Sequence, residues 1–182
     1  MGGISLYRNI LCMTAVVMAL FMGTALAAPR AMTVDDAVIA GIAPGSDLSY
    51  VRSIYGEPDG EKTKRTGNYP THLVDYYGEG FVITYDIFGG VQNPLIQSIE
   101  STNAALVMPS GIHVGMKISE VQQIFSDIQE PFRRDEKNNQ YTSPRFYVEV
   151  SDEKKGIRTV VFDVDKKGVI QKIFIYDQYG ID

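Results

Sequence analysis

The sequence is short of the residues that most site chemistry needs. It has one cysteine, Cys12, and two histidines, His72 and His113. Cys12 lies in an N-terminal leader, so the chain beyond it can form no disulfide and must be held by its core. The roughly 155 residues that follow the leader can bury about 68–70% of their surface, enough without crosslinks. The two histidines stand far apart, with no His-x-x-x-His, cysteine pair or calcium-loop pattern. A zinc site needs three or four converging ligands, so neither a metal nor a cofactor is expected. No Gly-x-Ser-x-Gly elbow is present. Pro44-Gly45-Ser46 lacks the lysine of a phosphate-cradling loop and reads as a helix cap. Asp35-Asp36, Asp152-Glu153 and the Asp163/Asp165 pair fit solvated turns better than acid–base pairs. Positive charge is also scarce. Of 17 Lys and Arg only Arg8 lies in the first 27 residues, which carry no acid, leaving 16 cations against 22 carboxylates and a net charge of −6. Phosphate neutralisation needs clustered cations, so nucleic acid is not an expected partner.

What is present is an ordinary globular composition, 45% hydrophobic and 21% charged, which argues against disorder. Residues 1–27 have the form of a secretory signal: Arg8, an apolar run over 10–22, then small side chains at Ala25 and Ala27. Cleavage is expected after Ala27, giving an exported protein, periplasmic or extracellular. A spanning helix takes about 20 apolar residues. Residues 10–28 are nearly that long, so an uncleaved leader would act as an N-terminal anchor, the one membrane contact expected.

Residues 28–40 form an N-terminal segment, of which 28–36, APRAMTVDD, read as polar and loosely ordered. The chain then repeats itself at an offset of 70: GIAPGSDLSYVRSIYG at 41–56 against GIHVGMKISEVQQIFS at 111–126. The identities are Gly41/Gly111, Ile42/Ile112, Gly45/Gly115, Ser49/Ser119, Val51/Val121 and Ile54/Ile124. Two units are therefore expected, 41–102 and 111–182, with a connector at 103–110 too short to hold them apart. Each opens with an amphipathic helix, on Leu48, Val51, Ile54 and Tyr55 and on Ile118, Val121, Ile124 and Phe125. Ser46 or Asp47 can cap the first helix, and Ser119 with Gln122 forms a candidate capping box for the second. Strands are expected at 72–77, 80–88, 91–100, 140–150, 157–164 and 169–177, joined by short glycine turns into antiparallel meanders. The predicted fold class is α+β, a tandem duplication of a helix plus a three-to-four-stranded meander.

The run Gly45, Val51, Ile54, Tyr55, Gly56 and Pro58, and its second copy Gly115, Val121, Ile124 and Phe125, resembles the SmpA/OmlA family. That family includes the small accessory lipoprotein of the outer-membrane β-barrel assembly machine. Two such units in tandem resemble the architecture of the secreted β-lactamase inhibitory protein. The resemblance implies the tandem fold and a role in envelope assembly or enzyme inhibition. Ser126 stands where the family's helix-ending glycine would be, and no disulfide is possible here.

Aromatic side chains crowd the expected strands. Alternation puts Phe81, Ile83 and Tyr85 on one sheet face and Val82, Thr84 and Asp86 on the other. Ile173 and Ile175 likewise oppose Lys172, Phe174 and Tyr176. A face left open would carry tyrosine and charge, the composition of protein-binding surfaces. The expected function is a non-enzymatic module that binds another protein through its sheet, with Tyr76, Tyr85, Phe174 and Tyr176 as candidate contacts and at least three exposed strand aromatics on one face. The alternatives are a β-lactamase-inhibitor-like role, a small-ligand carrier with an apolar cavity between two lobes, and an exported enzyme of unrecognised type. Loops at 62–70 and 133–140 are the fallback binding sites.

Overall fold

Period-two alternation is the strongest local pattern in the chain, and it builds the sheet. The computed structural model describes residues 28–129, 145–152 and 156–178; the leader and residues 133–140 lie outside them. Seven strands form one antiparallel sheet: β1 (Gly60–Thr66), β2 (Tyr69–Tyr77), β3 (Phe81–Asp86), β4 (Leu95–Ser101), β5 (Arg145–Asp152), β6 (Gly156–Val164) and β7 (Ile170–Gln178). Their order is β1-β2-β3-β4-β7-β6-β5. Among the described residues two helices, α1 (Leu48–Tyr55) and α2 (Ile118–Ile124), span eight and seven residues.

This sheet corrects the expected α+β class. The chain is an all-β-like fold with two short helices, not a pair of helix-plus-meander units. The two meanders fuse at β4 and β7, where Ser98, Ile99, Glu100 and Ser101 pair with Tyr176, Ile175, Phe174 and Ile173. The cause lies in the last strand of each meander. Ile99, Ile173 and Ile175 are each at most 1% exposed. A strand with so buried a side cannot leave one edge of its backbone unpaired away from water. Pairing β4 with β7 satisfies both edges at once and makes them the middle of the sheet.

One face of the sheet carries the core. Phe81, Ile83, Tyr85, Ile99, Val160, Phe162, Ile173 and Ile175 are buried there. Much of the covering layer is irregular chain: Met32, Ala37, Ile39 and Ile42 ahead of α1, and Met108 and Ile112 ahead of α2. Two glycines fix that layer to the sheet by the same contacts. Gly45 N–H donates to the Ile96 carbonyl and Gly115 N–H to the Ile170 carbonyl, both at 2.8 Å. Ile96 N–H returns a bond to Ser46 and Ile170 N–H one to Met116, at 2.8 and 2.9 Å. Both glycines hold φ near +90° (+83° and +98°), a conformation that costs other L-residues about 1–2 kcal/mol.

The helices are only partly as expected. Asp47 caps α1, its carboxylate accepting from Tyr50 N–H at 2.7 Å, and Gly56 ends it at φ +75°. Val51 is fully buried, but Ile54 is 45% exposed: in so short a helix the stripe extends past the core. The cap of α2 is Lys117 rather than Ser119, with Glu120 accepting the Lys117 N–H at 2.8 Å.

The segment at 28–36 is also corrected, because it is docked. Arg30 N–H donates to the Ile124 carbonyl and Ser126 N–H to the Arg30 carbonyl. The Asp127 carboxylate accepts the Met32 N–H. Arg30 pairs with buried Asp36 at 2.6 Å, and Thr33 donates to Asp36 through both its N–H and its hydroxyl. These donors, Arg30 first, hold the Asp36 carboxyl at about 2, against an ordinary 3.8. A carboxyl lowered on folding adds stability above its unfolded value and loses it as pH falls through its folded value. Because Arg30 is half exposed, the contribution is on the order of 1 kcal/mol. The stability gap between the native chain and Asp36→Asn, measured by urea melts, should hold near neutral pH and shrink between about pH 4 and about pH 2. A gap independent of pH would show that the ion pair contributes nothing.

Candidate functional site: the open face of the sheet

Strand register sets out the other face in rows perpendicular to the strands. The middle row runs Tyr147, Val161, Phe174, Glu100, Val82, Tyr76, one residue from each of six strands. The next row runs Glu149, Thr159, Tyr176, Ser98, Thr84, Val74, Lys62 across all seven. Neighbouring strands lie about 4.8 Å apart, so the face spans roughly 30 Å along a row. Among the described residues, the helices and the irregular layer cover the opposite face and leave this one open.

Two depressions mark it. One, of about 470 Å³, is lined by Tyr147, Val161, Phe174 and Tyr176 together with charged groups. The other, of about 500 Å³, lies over His72, Val74, Tyr76, Val82 and Thr84. They share Glu100 and Phe174, so they form one continuous trough. A chain of ion pairs closes the end of the first. Arg145 Nε meets Asp163 at 2.7 Å, and Lys172 Nζ lies 3.4 Å from Asp163 and 3.3 Å from Glu100. Opposite charges on adjacent strands stabilise one another across the pleat, which holds this rim in a defined shape.

The sequence candidates divide between the faces. Phe174 and Tyr176 lie in the open trough with ring centroids 5.1 Å apart. Tyr147 lies two strands away on the same row, about 10 Å by strand spacing; it completes the aromatic group and was not among the candidates. Tyr76 is on the same face but three strands from Phe174, behind Val82 and Glu100, with Lys62 Nζ 5.5 Å from its ring centroid. All four are half-buried rather than freely exposed, because each ring lies against its strand neighbours.

Tyr85 is a correction. It is fully buried on the core face, beside Ile83. Alternation placed it with Phe81 and Ile83, and that face is the one the irregular layer covers. Burial first of all pushes its hydroxyl far above the usual tyrosine range. It adjoins a buried polar group that sequence reading missed. Asp75, with no exposure, takes an ion pair from Arg52 of α1 at 3.2 Å, and Arg52 also meets Glu61 at 3.2 Å and pairs with Glu57. Burial raises the Asp75 carboxyl, and Arg52 partly offsets the rise. The only sequence signal was an acid at an inward position of a strand, between Leu73 and Tyr77.

The groups with the most displaced acidity, Asp36 and Tyr85, both lie away from the trough. His72 lines its second depression, and His113 Nδ1 lies 2.9 Å from the Gly111 carbonyl oxygen. Among the described residues no three His, Cys, Asp or Glu gather as metal ligands, and no helix is long and apolar enough to cross a membrane. The fallback loop at 62–70 is not a loop: it forms most of β1 and the start of β2. No family model, no curated protein and no solved structure matches this chain, so the likeness to the SmpA/OmlA family rests on the quoted residues alone.

Proposed function

We propose that this chain is a non-enzymatic, exported module that binds another protein through the open face of its sheet, with Phe174, Tyr176 and Tyr147 as anchors. One observation carries the reading: three aromatic side chains from two nearby strands line a trough that no other layer of the described residues covers, and fixed ion pairs rim it. Aromatic anchors surrounded by paired polar groups are the pattern of interface hot spots, each worth about 2 kcal/mol or more when fully desolvated. The carrier alternative asked for a cavity between two lobes, and the halves share one sheet instead.

The test compares the native chain with Phe174→Ala/Tyr176→Ala as baits for photo-crosslinking in the exported fraction, the crosslinker placed at Val161. Both rings are half-buried and surface-facing, so the variant should melt within a few degrees of the native chain. A partner crosslinked by the native chain should be lost from the variant. A partner retained equally by both would overturn the proposal, and recovery of the native chain only in the cytoplasm would overturn its exported part.

A further inference from the structure

The sheet has two edges, and they differ. On the outer side of β5, Gln129 and Tyr147 exchange backbone hydrogen bonds at 2.8 and 3.3 Å. On the outer side of β1 no described residue pairs, and residues 61–66 are all exposed. A seven-residue edge with free N–H and C=O groups is a template for another strand. Its charge decides which strand. β1 reads GEKTKRT, and its one acid, Glu61, is already engaged by Arg52. Lys62, Lys64 and Arg65 therefore make this edge cationic in a chain whose net charge is −5.

We infer that β1 accepts an extended acidic peptide segment of another protein as an eighth strand, a second site at the end of the trough away from Phe174, Tyr176 and Tyr147, where Lys64 lines the second depression. Lys62 and Lys64 lie on one side of β1, two residues apart, opposite Val74 and His72 of β2. An added strand keeps the same alternation, so acids at every second position would face both lysines. Backbone bonds would supply affinity and the charges specificity, as in other strand additions. A second copy of this chain does not fit. Edge-to-edge pairing of β1 with itself sets lysines beside lysines, and like charges placed opposite one another destabilise a sheet. The same lysines repel basic strands and give neutral ones no added attraction, so they favour acidic strands rather than only guarding against aggregation.

The probe is a capped seven-residue peptide of alternating glutamate and valine, with a lysine-for-glutamate twin, added to the full chain. Amide exchange at residues 61–66 should slow with the glutamate peptide and not with its twin. Lys62→Glu/Lys64→Glu should weaken binding by at least about tenfold and keep the native melting temperature, since both side chains are exposed; binding should also weaken as salt rises. Phe174→Ala/Tyr176→Ala should bind the peptide as the native chain does, since backbone pairing at β1 does not reach those rings, so the fate of this site is read separately from that of the aromatic anchors. Equal binding of the two peptides, protection confined to β7, or a peptide-free dimer held through β1 would each overturn the inference.

Discussion

An Arg158→Met chain should be about 3–5 kcal/mol less stable than the native one, because it strands a buried carboxylate. Arg158 and Asp177 stand opposite each other on β6 and β7, on the core face, with side chains 8% and 6% exposed. The guanidinium grips the carboxylate twice, Nε to Oδ1 at 2.8 Å and Nη2 to Oδ2 at 3.2 Å. Nη2 also donates to the Pro44 carbonyl at 2.6 Å, tying the turn before Gly45 to the far half of the sheet. Methionine fills the space but leaves Asp177 charged and unpaired, and the Pro44 carbonyl without its donor. The double change Arg158→Met/Asp177→Leu removes both charges and should recover most of the loss, since a buried ion pair is often matched by apolar residues of similar volume. Urea denaturation of the native chain, the two single variants and the double would measure the coupling. A double variant as unstable as Arg158→Met would place the cost in the lost Pro44 contact rather than in the stranded charge.

How far the sequence could be read depended on which physical signal each element carried. β3 and β7 were legible because one side of each is buried and the other is not. Phe81, Ile83 and Tyr85 alternate against Val82, Thr84 and Asp86, and Ile173 and Ile175 against Phe174 and Tyr176, a period-two pattern that survives any context. β1 was not legible, because an edge strand exposed on both sides has no apolar residue to alternate. The β4–β7 pairing was invisible for another reason. It joins residues some 75 positions apart, and nothing near Ile99 names Ile175 as its neighbour. Without that pairing, two meanders look like two units, and two helix signals of barely two turns look like half the fold. The site divided along the same line. Alternation correctly grouped Phe174 with Tyr176, but which face stays open depends on where the irregular layer folds back, and that choice put Tyr85 in the core. Asp75 and Asp177, buried acids on inward strand positions, broke the pattern openly. Their partners, Arg52 and Arg158, could be found only in three dimensions.

Phe125→Ala should cost about 3–5 kcal/mol, the range for truncating a buried aromatic ring. Helical spacing placed Phe125 on the stripe of α2. It is instead the residue that ends the helix, extended at φ −120° and ψ 128°, with its N–H still bonded to the Val121 carbonyl at 2.8 Å. That turn of the backbone drives the ring into the core, where it is 1% exposed. It also opens Ile124 and Ser126 to bond with Arg30 on either side, and the Arg30 guanidinium lies 4.8 Å from the ring centroid. The ring is thus at once core and platform. Its removal opens a cavity and takes away the cation–π contact, worth about 0.5–1 kcal/mol at an exposed site. Two readouts separate these effects. Phe125→Leu keeps most of the apolar volume and should lose less than half as much stability as Phe125→Ala, yet it offers Arg30 no ring face. In both variants the Met32 amide, held by Asp127 just beyond this contact, should exchange faster relative to the core amides of β6. If Phe125→Ala loses under about 1 kcal/mol, below the range of buried-ring truncations, the ring does not fill the core as its burial indicates. If Met32 exchange is unchanged in both variants, Asp127 and the Arg30–Asp36 pair hold the N-terminal segment without help from the ring.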